Sequence, residues 1–215
     1  AENPQSFINV TIEKSAIGQG FFVEPLQVPI NYGENVAEVI TRVLGTGNYT
    51  NTGTVDSDFY LSSIKDQGPE EADIPQYILD AISTAEGEVT GRNNSEYLGE
   101  FDYYGMSGWI YAVNNVSPNF GMSGYTVQDG DVLRLQFSLY GYGRDLGYGD
   151  NKLINAADKS DLIRKIAEIN SDENKLLMLA DPVYKGYYNN ALAILENMLA
   201  TQEQVDDALA DINTT

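Results

Sequence analysis

Along residues 7–14 the chain alternates Ile8, Val10 and Ile12 with Asn9, Thr11 and Glu13. A period of two with a single apolar row predicts a strand that buries one face. Gly18 and Gly20 mark a turn, and residues 23–30 alternate again. Pro25 and Pro29 lack an N–H for a ladder, so this run is expected at a sheet edge or as an extended segment. Residues 36–44 then change period: Val36, Val39, Ile40, Val43 and Leu44 share one helical face. Asn35 stands where an N-cap belongs, Glu38 completes a capping box, and Gly45 stops the helix.

Residues 46–57 read as a polar loop. Asp73 is expected to cap a shorter helix with Pro75 in its first turn and Ile74, Ile78, Ala81 and Ile82 buried. Residues 86–96 read as another exposed loop. Two strands follow, WIYAV from Trp109 and the run from Val132 to Tyr140, with Asp129-Gly130-Asp131 as a turn before the second. Beyond the glycine-rich stretch 141–152 the pattern is helical throughout. Asp158 is expected to cap a helix with the stripe Leu162, Ile163, Ile166 and Ile169. Asp181-Pro182 opens a second, with Tyr184, Tyr187, Tyr188, Ala191, Leu192, Leu195, Met198 and Leu199 inward. Thr201 and Gln204 form a capping box for a third, with Val205, Ala208, Leu209 and Ile212 on one face.

These elements predict an α+β fold in two domains: residues 1–150, strands around a helix with an insert at about 46–96, and residues 151–215, a small three-helix bundle. Composition shifts at the same place. The first 150 residues hold the only Trp, every Phe, 12 of 15 Tyr and all but one of 20 Gly.

Charge and two absences narrow the chemistry. Lys+Arg number 12 against 32 Asp+Glu, a net charge of -20 that disfavours phosphate backbones and anionic lipid, so no nucleic-acid or membrane-surface partner is expected. No apolar run approaches the length of a transmembrane helix, and nothing reads as a signal peptide. With neither Cys nor His, thiolate and imidazole catalysis and their metal sites are excluded for this sequence. What remains is carboxylate, Tyr and Lys chemistry, or hard cations held by oxygen.

The stretch SGWIYAVNNVSPNFGMSGYTVQDGDVLRLQF, residues 107–137, resembles the signature of the transcobalamin-like C-terminal domain family, which includes the β-domain of vitamin B12 carriers. Gly108-Trp109, Asn114, Pro118, Gly121, Tyr125 and Asp129-Gly130-Asp131 carry the likeness, and GQGFFVEPLQVPINYGENVAEVITRVL fits the family's preceding strand, turn and helix. The resemblance implies a β-grasp-like sheet over about 7–140 and a corrinoid such as cobalamin as ligand. In the B12 carriers a separate helical barrel supplies the other half of that site. The tail, above all ATQEQVDDAL at 200–209, is similar to the three-helix modules "found in various architectures" of Gram-positive surface proteins. Together these imply an extracellular piece of a larger bacterial cell-surface protein.

Aromatic residues are the leading candidates for a ligand site: Tyr103, Tyr104, Trp109, Tyr111, Phe120, Tyr140 and Tyr142. Flat rings with polar handles suit sugars, corrinoid faces or protein partners. Trp109, Tyr111 and Tyr125 also read as core or cross-strand residues, and for Trp109 and Tyr125 that reading is the favoured one. Tyr103, Tyr104, Phe120, Tyr140 and Tyr142 adjoin glycines or turns and are expected at the surface. Asp56 with Asp58, and Asp129 with Asp131, have the spacing of calcium ligands, although Asp-Gly-Asp is also ordinary turn chemistry. Glu96, Glu100 and Asp102 lie near the aromatics, but acids are abundant enough for proximity to mean little, so no catalytic residue is assigned. The sequence thus predicts a non-enzymatic module that recognises a small molecule or surface partner, with a structural spacer or adhesion-stalk segment, or a calcium-stabilised adhesion domain, as the rival readings.

Overall fold

The computed structural model describes residues 5–214 and has α+β architecture. Its main sheet has the order β2-β1-β7-β6, from β1 (Ser6–Glu13), β2 (Phe21–Ile30), β6 (Gly108–Val113) and β7 (Val132–Ser138). The outer pairs are antiparallel and the central pair β1–β7 is parallel. β2 is an edge strand, as its two prolines require. α1 (Val36–Leu44) connects β2 to the next strand, and Asn35 caps it through the full capping box: its side chain accepts from the Glu38 amide at 2.9 Å. Gly45 ends the helix at φ 86°, a conformation that favours glycine.

One face of the main sheet is apolar. Directly paired residues share a face, so Ile8, Val10 and Ile12 lie with Leu133, Leu135 and Phe137, and these with Val113, Tyr111 and Trp109. All are buried in one core with Val36, Val39 and Ile40 of α1.

The region read as a polar loop forms strands instead. β3 (Tyr49–Thr54) and β4 (Ser57–Lys65) make a hairpin, and β5 (Tyr97–Gly99) completes a second sheet in the order β3-β4-β5. β3 escaped the reading because Thr50 to Thr54 are exposed and carry no apolar row. β4 contributes Phe59, Leu61 and Ile64 to the main core. α2 (Gln76–Thr84) buries Ile78 and Ile82, as the pattern requires. Asp73 does not cap it. No side chain does, and the Asp73 amide instead donates to the Ile17 carbonyl.

The tail comprises α3 (Ser160–Ser171), the short α4 (Lys175–Met178), α5 (Pro182–Glu196) and α6 (Gln202–Ile212). Asp181 and Thr201 cap α5 and α6 as expected. Asp158 accepts from the Ser160 amide at 2.9 Å just ahead of α3. α4 was missed because its Leu176 and Leu177 are exposed and lie on no stripe, and Leu199, expected inward, is also exposed.

The polar row of β1 is not at the surface. Asn9, Thr11 and Glu13 are buried, as are Arg134, Gln136 and Ser138 of β7, because the tail lies over this face. Asn170 Nδ2 donates to the Pro25 carbonyl, the Gln27 amide donates to Ser171 Oγ, and Val132 joins the apolar core of the tail. Within the covered layer Arg134 donates to both carboxylate oxygens of Glu13 at 2.8 Å, and Thr11 Oγ1 donates to Glu13 at 2.6 Å. Burial raises the Glu13 carboxyl, but the Arg134 charge and these hydrogen bonds outweigh it and hold the group below the usual range. Lys159 Nζ ends in the same layer, donating to the Leu195 and Asn197 carbonyls at the C-terminus of α5.

Among the described residues no helix is long and apolar enough to cross a membrane.

Candidate functional site

β6 is the outer strand of the main sheet, and β4 of the second sheet runs near it. Two grooves meet along this seam. One, of about 310 Å³, is lined by Tyr60, Glu100, Phe101, Trp109, Ile110 and Tyr142 among others. The other, of about 240 Å³, lies toward Tyr111, Phe59 and Met122. Tyr60, Trp109, Ile110 and Tyr142 border both, so the two form consecutive stretches of one furrow.

Its rim is aromatic. Tyr142 is 74% exposed, Phe101 58% and Tyr60 46%. Phe101 and Tyr142 hold φ values of 72° and 54°. This left-handed region is costly for bulky residues and is tolerated where surrounding structure enforces it. Tyr60 Oη donates to Glu100 Oε2 at 2.8 Å. Burial and the Glu100 carboxylate together push the Tyr60 phenol up to about 12, so it stays protonated and remains a donor.

The floor is fixed. Trp109 Nε1 donates to the Leu98 carbonyl at 2.9 Å, and its ring meets Phe137 edge-on with centroids 5.3 Å apart. Tyr111 Oη donates to the Phe120 and Gly121 carbonyls, and burial pushes this phenol up to about 12. Trp109 and Tyr111 are therefore core residues whose edges border the furrow.

The other aromatics expected in a site lie apart from it. Tyr103, expected at the surface, is buried: its backbone turns at φ 66° and its hydroxyl donates to the Glu70 carbonyl at 2.6 Å. Tyr104 and Tyr140 stack on each other, centroids 6.1 Å apart, with the Arg144 guanidinium over the Tyr140 ring. Phe120 is 53% exposed but stacks on Tyr125. The structure thus brings Trp109, Tyr111 and Tyr142 to the furrow, whereas Tyr103, Tyr104 and Tyr140 do not line it and Phe120 is joined to Tyr111 only through its backbone carbonyl.

Tyr60 was missed, although it occupies the outward position between Phe59 and Leu61 in an alternating run.

The acidic candidates are engaged locally. Asp129 accepts from the Phe7 amide, and Asp131 from Asn114 Nδ2 and the Gln128 amide. Asp56 sits on the exposed β3–β4 turn and Asp58 at the exposed start of β4, where it accepts from Ser57 Oγ. Among the described residues no three Asp or Glu side chains are grouped to hold a metal ion. Asp102 is buried and accepts from the Asn93 and Gly99 amides, so it braces its loop.

No protein-family model matches the chain, and no curated protein matches it.

Proposed function

We propose that this protein is a non-catalytic recognition module that holds a ligand in the aromatic furrow along β6. One observation carries the reading. Three large rings, Tyr60, Phe101 and Tyr142, stand exposed around one furrow, whereas Trp109, Tyr111 and Tyr103 are buried in the fold. Clustered exposed apolar surface marks interaction sites, and aromatic side chains bring contact area at low entropic cost. The order β2-β1-β7-β6 with its parallel central pair supports the β-grasp reading. The sequence resemblances are what support an extracellular, cell-surface setting. Cobalamin is the ligand that the transcobalamin likeness nominates.

The test uses the sole tryptophan, whose indole borders the furrow. The full chain is titrated with cobalamin, corrected for absorbance, with calorimetry alongside, and in parallel with soluble oligosaccharides and peptides. Saturable binding with Kd below about 10 μM, roughly -7 kcal/mol, weakened at least tenfold by Tyr142→Ala, is the expected result. Flat titrations with every ligand class would favour a spacer role in a surface stalk.

A further inference from the structure

The two outer strands of the main sheet are treated very differently. β2 carries Glu24, Pro25 and Pro29, and α3 occupies part of its rim through Asn170 and Ser171. β6 reads GWIYAV, with no proline and no charge. Proteins ordinarily blunt an outer strand with such residues, because a bare one is a template for another strand.

The orientation of the β6 main chain follows from its neighbours. The Asn114 amide donates to the Val132 carbonyl, toward β7, whereas the Val113 amide donates to the Val116 carbonyl, away from it. In an antiparallel pair the sense alternates residue by residue, so Gly108, Ile110 and Ala112 face β7 while Trp109 and Tyr111 face outward. The Tyr111 carbonyl accepts from Ser117 Oγ. The Trp109 amide, the Trp109 carbonyl and the Tyr111 amide have no partner among the described residues. Trp109 lines both stretches of the furrow and Tyr111 lines the second.

The geometry points to an extended peptide as the occupant: a strand added to β6 between Trp109 and Tyr111, its side chains packed under Tyr60, Phe101 and Tyr142. This deepens the reading of the furrow as a ligand site and depends on it. An unpaired donor, acceptor, donor series at strand spacing matches a polypeptide main chain, and strand addition gains affinity from such bonds. Charge selects the peptide. Glu100 is the only charged residue lining either stretch, and the whole chain carries -20. The favoured segment therefore alternates cationic with apolar or aromatic residues.

The experiment immobilises a pool of octapeptides in which Lys alternates with Val, Ile, Tyr or Phe, and applies the full chain and its Tyr142→Ala and Tyr60→Ala/Tyr142→Ala variants. Amide exchange is then followed by NMR with the tightest member. The expected result is binding that falls at least tenfold in the variants, with Trp109 and Tyr111 amide exchange slowed at least tenfold and Ile110 unchanged. N-methylation of alternate peptide residues should weaken binding by a similar factor. Peptide binding without protection of Trp109 and Tyr111 would overturn strand addition. So would a pool that does not bind while cobalamin or an oligosaccharide still moves Trp109 fluorescence through Tyr142, and in that case the furrow stands as a site for another class. If no probe binds through Tyr142, both readings fall.

Discussion

Arg134 and Glu13 meet across the parallel β1–β7 pair, guanidinium to carboxylate, by two hydrogen bonds of 2.8 Å in a layer sealed by the helical tail. Both residues are buried. A paired charge in such a place adds little net stability, but an orphaned one is severe. Arg134→Ala is accordingly expected to cost about 3–5 kcal/mol in urea unfolding. The double change Glu13→Leu/Arg134→Met should recover most of that loss. Equal destabilisation by the single and double variants would show that packing, not the stranded carboxylate, dominates.

Lys159 gives the same layer a pH dependence. Burial, with the Arg134 charge adding to it and Glu13 opposing, pushes its ammonium down to about 7. The unfolded lysine titrates near 10.4, so between the two values the unfolded chain holds a proton that the folded chain does not. Stability from this group therefore rises from pH 7 to pH 10, by roughly 1 kcal/mol per unit. Lys159→Met removes the slope. The gap in unfolding free energy between wild type and variant should move in favour of wild type over that range; a constant gap would refute it.

Asp145 acts in the opposite sense. It is fully buried, and burial pushes its carboxyl up to about 6 despite hydrogen bonds from Ser138 Oγ and the Leu139 amide. Between about 4 and 6 the folded state is the one holding the extra proton. Stability contributed by Asp145 is thus full near pH 4 and lost as pH rises through 6. Against Asp145→Asn, the wild-type advantage should shrink by a few kcal/mol across pH 4 to 7; an advantage that grows would show that the carboxylate is better solvated than its burial implies.

Two glycines separate backbone strain from crowding. Gly18 and Gly33 have similar positive φ, 71° and 82°, but a Cβ on Gly18 would lie 2.2 Å from the Asp73 carbonyl oxygen, whereas one on Gly33 meets nothing within 4 Å. Gly33→Ala should cost about 1–2 kcal/mol, the left-handed penalty alone. Gly18→Ala should cost clearly more and lower Tm further, since the turn at Ser15–Gly18 and the Asp73 segment must part. Equal losses would mean that the Asp73 segment yields freely.

Much of the fold was legible because single residues carried it. Asn35 with Glu38, Asp181 with Pro182, and Thr201 with Gln204 each announce a helix start through local hydrogen bonding, and the structure has helices at all three. Ile8, Val10 and Ile12 likewise announce the buried face of β1. The opposite row, Asn9, Thr11 and Glu13, reads as solvated, because nothing local says that α3, some 150 residues later, will cover it. The candidate site was half legible for a related reason. Trp109, Tyr111 and Tyr142 stood out by type, but Tyr60 reaches them only through the contact between two sheets, and Tyr103 turns inward through a backbone angle that no periodicity encodes.

The parallel pairing of β1 with β7 also sets a schedule. Glu13 and Arg134 are 121 residues apart in sequence, so the centre of the sheet cannot close until the residues between them and Arg134 itself are available. A chain emerging from the ribosome holds β1 and β2 as a two-stranded hairpin through that interval, marginal by itself and open along Asn9–Glu13. Long loop closures of this kind slow folding, and waiting strands are where misassembly begins.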